Sequence, residues 1–519
     1  MNIRPSAPLP LTLLLALALG ALNVFAFAPF NFWPLQIATL ALVCWMLLRA
    51  PSPRAAAWIG WAYGSGWLVA GVHWLYISMH RYGGMPGWMA VLAVVILGAG
   101  LASLCGLATG GTAWLRQRWS LSPAVTALLV FPSAWALSEW TRGWIFTGFP
   151  WVSSGYAHNV GPLAGFAPVI GVYGLAWISA LAAGCLALLP YRKAAIGLLA
   201  LILAGGIGLK SVAWTEPNGE PISVRLLQGD VPQEMKFAPE QIEATLKLYY
   251  DMISAAPADL IATPETAIPL LSSQLPPDYL GALQDFAQKS NSHLVLGLPM
   301  RDGPQQYSNS VLGLSPQAAA GAPYYRYDKH HLVPFGEFIP LGFRWFVDMM
   351  HIPLGDFHRG ALLQQPFSVR GQWIMPNICY EDLFGEEIAA QLAVSRSPGV
   401  PQATILLNVS NIAWFGDSIA LPQHLQISQM RALETGRPML RATNTGVTAV
   451  INPEGEVVKQ LPPFQRGTLS ALVQGYKGLT PYSRYGNAPV ITWALLMIVL
   501  AGLLRRTKDG KPHQHDKTR

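Results

Sequence analysis

Three short segments of this chain each carry a reactive side chain at the end of an apolar run. They are Leu260-Ile261-Ala262-Thr263-Pro264-Glu265-Thr266, Tyr325-Arg326-Tyr327-Asp328-Lys329-His330-His331, and Trp373-Ile374-Met375-Pro376-Asn377-Ile378-Cys379-Tyr380-Glu381. A free thiol has a pKa of about 8.5 and is mostly protonated at neutral pH. A carboxylate such as Glu265 can take that proton and later return it to a leaving group. An ammonium such as Lys329 can favour the thiolate and stabilise a tetrahedral oxyanion. Cysteine, glutamate and lysine together describe acyl transfer through a thioester. The other three cysteines, Cys44, Cys105 and Cys185, lie inside long hydrophobic runs, and there is no CxxC pair. Neither a disulfide framework nor a redox motif is therefore expected. One cysteine at a strand end, taken alone, is usually a small buried hydrophobe. The glutamate and lysine segments are what make Cys379 a candidate nucleophile.

The elements that must position these groups are short strands and amphipathic helices. β-rich runs occur at 223–228, 260–263, 293–298, 310–314, 373–378, 404–409 and 448–451, with helical patterns at 239–255, 278–289 and 423–435. Such alternation predicts a layered α/β domain. About 260 residues are enough to bury a substantial core. In such domains the loops at strand ends converge, and sites collect there.

The rest of the chain reads as membrane helices. Of 519 residues, 52% are hydrophobic and 12% charged, the latter about half the usual share. A span needs about 20 apolar residues. Candidates run at 10–28, 33–49, 56–78, 87–113, 122–138, 165–189, 194–212 and 489–505. The first follows Arg4 and is read as a transmembrane helix, not a cleaved signal peptide, because another apolar run follows at once. Arg4, Arg49, Arg54, Arg116, Arg118, Arg192 and Lys193 fall at alternate span ends, and Arg505, Arg506, Lys508 and Lys511 follow the last. The positive-inside rule then makes both termini cytoplasmic and puts 213–488 outside, in the periplasm of a bacterium. The polar tail 508–519 is expected to be disordered.

Other signals are weaker. No Lys/Arg run is interleaved with aromatics, so nucleic acid is not an expected partner. Adjacent His330 and His331, read as part of a strand, would point to opposite faces and chelate poorly. Glu139 and Arg142, three apart on a helix, suit an ion pair as well as a role in lipid entry. Trp74, Trp88, Trp140, Trp144 and Trp151 suit interfacial anchors.

The Glu265, Lys329 and Cys379 set resembles the nitrilase, or carbon–nitrogen hydrolase, superfamily, and more closely its membrane-bound apolipoprotein N-acyltransferase branch. Tyr327-Asp328-Lys329-His330-His331-Leu332-Val333-Pro334-Phe335-Gly336-Glu337 looks like the lysine signature of that branch. Asn408-Val409-Ser410-Asn411, Trp414-Phe415-Gly416-Asp417, Arg431-Ala432, Gly436-Arg437-Pro438 and Arg441-Ala442-Thr443-Asn444-Thr445-Gly446 are similar to its downstream block. Glu139-Trp140-Thr141-Arg142-Gly143 and Phe146-Thr147-Gly148-Phe149-Pro150-Trp151 look like its membrane half. Ile412 stands where members often carry Asp, and Phe237 where they often carry Trp.

The resemblance implies an integral membrane α-helical bundle of eight transmembrane helices plus an α/β nitrilase-like αββα sandwich. Its expected divisions are a membrane domain at 1–215, a periplasmic catalytic domain at 216–485, an eighth helix at 486–506 and a cytoplasmic tail at 507–519. It implies Cys379 as nucleophile, Glu265 as general base and Lys329 as oxyanion-stabilising cation, with Glu337, Glu381, Tyr380 and Asn309 in support. Phe237, Trp414 and Phe415 are expected at the lipid or lid surface, with loops 335–355 and 414–421 acting as the lid. The implied acyl donor is a phospholipid, the acceptor is the α-amine of a diacylated apolipoprotein, and no cofactor or metal is expected. The alternative is a membrane-tethered amidase acting on a small amide. A transporter is disfavoured because the spans are almost free of ionisable residues.

Overall fold

The computed structural model describes residues 9–504 apart from 235, 237, 304–305, 320, 341, 345–356 and 394–398. The first half is helical. Among the described residues, three helical segments are long and apolar enough to cross a membrane: Leu9–Ala26, Gly87–Arg118 and Pro162–Leu188. Pro34–Arg49, Ala194–Leu209 and Ala488–Leu503 are shorter apolar helices.

The expected spans at 56–78 and 122–138 are not continuous α-helices. Pro53–Gly71 stops at Gly71, and the chain resumes as Leu75–Ile77 and a π turn at Ser78–Tyr82. A second π turn, Thr126–Val130, precedes Phe131–Arg142. Pro132, in the first turn of that helix, has no N–H to give the preceding ladder. The expected span at 165–189 kinks at Gly171, whose φ is 64°. A side chain at Gly171 would collide with the ring of Tyr482, so glycine serves both the backbone angle and the close approach.

The second half is a pair of six-stranded sheets. One has the order β12-β1-β2-β3-β4-β5, the other β11-β10-β9-β8-β7-β6. The first comprises β1 Glu216–Gln228, β2 Leu260–Ala262, β3 His293–Gly303, β4 Gln306–Leu314, β5 Tyr325–Asp328 and β12 Gly467–Lys477. The second comprises β6 Phe367–Val369, β7 Gln372–Ile378, β8 Ile405–Ser410, β9 Met439–Thr443, β10 Ala449–Ile451 and β11 Val457–Gln460. β1, β2 and β3 run parallel at the centre of one sheet, and β7, β8 and β9 in the other. Central strands covered on both faces need continuous apolar runs; Leu260, Ile261 and Ala262 are all fully buried.

The two sheets share one core, in which Val224, Leu226 and Val295 meet Ile374, Leu407 and Val409. Helices Pro239–Ser254 and Tyr279–Ser290 cover the outer face of the first sheet through Leu246, Ile253 and Leu283. Gly385–Ala393 and Ala420–Thr435 pack on the second through Ile388, Leu392 and Ala432. The layers are therefore helix, sheet, sheet, helix.

The two halves are welded by a common apolar cluster. Trp67, Trp135, Trp151 and Tyr156 of the helical half pack in it with Tyr380, Leu383, Phe384, Ala420 and Ile427 of the sheet half. Polar ties cross the same boundary. Trp151 Nε1 donates to Gln423 Oε1 at 2.8 Å, and Tyr380 Oη donates to the Gly148 carbonyl at 2.9 Å. Glu434 Oε1 accepts from the Val172 amide at 2.6 Å.

One close approach bears on the site. A Cβ on Gly297 of β3 would collide with the carbonyl oxygen of Pro264, the residue before Glu265. Gly297 also donates its N–H to Thr263 Oγ1 at 3.0 Å and accepts the Ile268 N–H at 3.1 Å. Gly297→Ala is expected to destabilise the protein by about 1–3 kcal/mol through overpacking. Thermal unfolding of the two proteins in the same detergent measures it; an unchanged midpoint would contradict the close packing.

Candidate active site

Each chemically reactive residue occupies the turn just beyond a strand: Glu265 after β2, Lys329 after β5 and Cys379 after β7. The structure gathers the first two with Glu337 and Asn309 into one buried cluster. Lys329 Nζ lies 3.2 Å from Glu265 Oε1 and 2.8 Å from Glu337 Oε1. Asn309, on β4, gives its amide Nδ2 to both of those oxygens at 2.7 Å. The second carboxylate oxygens are also engaged: Glu265 Oε2 accepts the Asn411 N–H and Glu337 Oε2 the Val333 N–H, each at 2.8 Å.

Every named neighbour of the Glu265 carboxylate is a donor, which favours its ionised form. Burial pushes the Glu265 carboxyl up, but Lys329, Asn309, Lys236 and the Asn411 amide together outweigh it and hold it below its usual range. Burial pulls the Lys329 ammonium down, and Glu265 and Glu337 more than reverse that, so it is raised.

Cys379 is half-buried, and its backbone is left-handed, with φ of 53°. For a side chain other than glycine this conformation costs about 1–2 kcal/mol, so surrounding contacts must hold it. Glu381 supplies several. Its carboxylate accepts the N–H groups of Ile378 at 2.6 Å, His330 at 2.6 Å and His331 at 3.2 Å, and the Tyr327 hydroxyl at 3.0 Å. It thus ties the cysteine turn to the lysine turn. Burial pushes its carboxyl up to about 7, against these donors. The Cys379 carbonyl accepts from Asn408 Nδ2 at 3.2 Å.

The thiol lies in the electrostatic field of this cluster. Burial raises it well above the usual range, Glu265 raises it further, and Lys329 opposes both. The expectation that Lys329 favours the thiolate holds for its own contribution but not for the net result, because burial and the carboxylates win. The resting group is the protonated thiol.

The remaining expected residues fall as follows. Tyr380 packs on His331 and Phe384 and anchors to the Gly148 carbonyl. Phe415 packs on Trp74 with ring centroids 4.3 Å apart, while Trp414 is more exposed and meets Tyr82 edge-on at 5.7 Å. Phe237 lies outside the described residues, as do 341 and 345–355 of the loop 335–355 and the tail 508–519.

His330 and His331 are not on a strand, since β5 ends at Asp328. They diverge because each ring has its own partners: His330 Nδ1 meets the Gly360 carbonyl, and His331 meets Glu387 and the Thr147 carbonyl, all at 2.8 Å. Glu139 and Arg142 form a buried pair at 3.8 Å. Both chiefly pin the following loop, Glu139 through the Ser154 N–H and Arg142 through the Phe149 and Trp151 carbonyls. Among the described residues, no group of three or more His, Cys, Asp or Glu is placed to hold a metal ion.

Sequence reasoning passed over two participants. Asn411 gives Glu265 a backbone donor and was visible only as part of a motif. Lys236 is buried; its Nζ donates to the Glu265 carbonyl at 3.1 Å and to Thr266 Oγ1 at 2.6 Å, and burial brings it down to about 8.

The sign of the thiol shift gives a test. Alkylation of Cys379 by iodoacetamide should rise steadily through pH 9, with no plateau near neutrality. Glu265→Gln removes a negative neighbour and should move that profile to lower pH. Peptide mass mapping of the alkylated site measures both, and a shift to higher pH would contradict the stated electrostatics.

Comparison with known proteins shows the family. Residues 19–185 match the family described as the apolipoprotein N-acyltransferase N-terminal domain, and residues 223–482 match carbon-nitrogen hydrolase. An apolipoprotein N-acyltransferase of Ralstonia nicotianae is 51% identical over 98% of this chain and 96% of its own. One of Nitrosomonas europaea is 47% identical over 95% of this chain and 97% of its own. A solved nitrilase-superfamily amidase from Nesterenkonia is 20% identical, covers 53% of this chain and 97% of its own, and has a TM-score of 0.38, too slight a likeness to bear on activity. The chain belongs to the apolipoprotein N-acyltransferase family, with a carbon–nitrogen hydrolase domain joined to an apolar helical half.

Proposed function

We propose that this protein moves an acyl chain from a membrane phospholipid to the N-terminal α-amine of a diacylglyceryl-cysteine on apolipoproteins, through a thioester on Cys379. The observation that carries this reading is the thiol held beside the buried Glu265–Lys329–Glu337 cluster, in a domain that shares its core with apolar helices. Relatives of matching length carry the same activity in their names. An amidase acting on small amides would have no use for so large an apolar half.

In the first half-reaction Glu265 takes the thiol proton as sulfur attacks the ester carbonyl. The carbonyl electrons move to oxygen. Two of the three N–H donors of Lys329 are spent on carboxylates, which leaves one for this oxyanion. The intermediate collapses, the C–O bond breaks, and Glu265 returns its proton to the leaving alkoxide, giving a lysophospholipid and a thioacyl-enzyme. In the second half-reaction the uncharged amine attacks the thioester, Glu265 accepts a proton from it, and sulfur leaves and is reprotonated. The sequence is ping-pong. Glu337, Asn309, Glu381 and Tyr380 position the three reacting groups. Trp414 and Phe415 belong to an apolar surface that shields the thioester.

The proposed setting is the bacterial inner membrane. Eight helices span it, seven within 1–215 and the last at 486–506. The catalytic domain at 216–485 is periplasmic and both termini are cytoplasmic, as the charge bias implies.

Incubation with phospholipid should add one acyl mass to the intact protein, mapped to Cys379 and absent in Cys379→Ser. Ammonia release from small amides without such an adduct would overturn the reading. Glu265→Gln should slow adduct formation by about 10²–10⁴-fold, the usual worth of a general base. The double variant Trp414→Ala, Phe415→Ala should hydrolyse a preformed thioester faster than the parent, read by loss of the adduct mass; an unchanged rate rejects the shielding role.

A further inference from the structure

Behind the candidate nucleophile lies a buried polar cluster that the proposed chemistry does not use. His424, on the Ala420–Thr435 helix, is 1% exposed. Its Nδ1 is 2.9 Å from Nη2 of Arg441. A guanidinium only donates, so Nδ1 must accept and the ring proton resides on Nε2. That nitrogen lies 3.0 Å from Asp382 Oδ1 and 3.3 Å from the carbonyl oxygen of Cys379. Asp382 Oδ2 in turn accepts from Arg441 Nη1 at 3.1 Å and from the Ser428 hydroxyl.

The imidazole is also fixed from its face. Trp151 stacks on it, with centroids 5.7 Å apart and planes at 16°. Trp151 is held by Gln423, the residue beside His424, which also accepts from Trp74 Nε1 at 3.1 Å and donates to the Gly71 carbonyl at 3.2 Å. Tautomer and ring plane are therefore both set, the second by the helical half of the molecule.

We propose that His424 is a positioning residue for acyl transfer: its Nε2–H, aimed by Arg441, Asp382 and Trp151, holds the Cys379 carbonyl and so maintains the left-handed turn that keeps the thiol in the field of Glu265 and Lys329. A left-handed non-glycine residue needs its flanking peptides held, and the Cys379 carbonyl has two side-chain donors, Asn408 and His424. Of these two, His424 links that carbonyl to the helical half, through the stacked Trp151. The inference rests on the thioester chemistry proposed above.

The test uses the full chain in phospholipid-containing micelles, measuring single-turnover acylation of Cys379, its dependence on phospholipid concentration, and thermal unfolding. In His424→Gln the side-chain amide can reach the position of Nε2. In His424→Asn it reaches only that of Nδ1. The Asn variant should lose about 10- to 100-fold in maximal acylation rate at unchanged half-saturating phospholipid, and the Gln variant should recover to within about threefold of the parent.

Parent-like acylation by the Asn variant would overturn the proposal. So would losses in both variants that merely track their thermal stability. If the Asn variant does not fold, Trp151→Leu replaces it. That change unstacks the ring and should lower the same maximal rate by about two- to tenfold; a parent-like rate again overturns the role. A parent protein that forms no adduct would instead remove the thioester chemistry itself.

Discussion

The site is organised around one buried ammonium between two carboxylates. Taking three charges out of water costs several kcal/mol for each, and only excellent geometry repays it. Here the repayment is visible atom by atom. One amide, Asn309 Nδ2, bridges the same two oxygens that contact Lys329, and backbone amides of Asn411 and Val333 take the others. The cluster tolerates no displacement of β2, β4 or β5, because each contributes a member or the turn that carries one. It also fixes the charge on Glu265. Donors around Glu265 favour its carboxylate and burial favours the protonated Cys379 thiol, so the two rest in opposite protonation states.

Cys379 has a left-handed backbone, and neighbours on both sides hold its turn. Glu381 gathers peptide N–H groups from the cysteine and lysine turns, so the two turns cannot move independently. Tyr380 reaches the Gly148 carbonyl in the helical half, and Gln423 accepts from Trp74 and Trp151. The catalytic domain is therefore not a tethered globule. Its hydrophobic cluster runs on into the helices, and the loop around 147–151 is as much a wall of the site as β7. A lipid-using enzyme benefits from this continuity, since the position of the reacting thiol is set by the same body that meets the apolar surroundings.

The central strands were legible because β2, β3, β7 and β8 are buried on both faces and read as uninterrupted apolar runs. β6, β11 and β12 were not legible. They lie at sheet edges, and a sequence such as Val457-Val458-Lys459-Gln460 has little to bury. β9 hid for another reason: it carries Arg441, which looks like a surface residue until Asp382 and His424 supply its partners. The helical half was legible in outline. The breaks after Gly71 and before Phe131 were not, because hydropathy averages over a window and does not see a single missing N–H. Lys236 and Asn411 escaped because nothing local distinguishes a buried lysine or asparagine from an exposed one.

The sequence by itself supplied the candidate groups, Glu265, Lys329 and Cys379, and the family motifs around them. A thiol, a carboxylate and an ammonium at the ends of apolar runs, beside long hydrophobic segments and within extended motifs, admit few assemblies, since residue type and hydropathy are local properties. Tertiary structure alone decided the electrostatic balance and the geometry. The net direction of the thiol shift, the sharing of Lys329 between two carboxylates and the left-handed turn at Cys379 all depend on burial and on partners from a few to more than a hundred residues away. Those quantities are sums over the surrounding atoms, and no stretch of chain contains them.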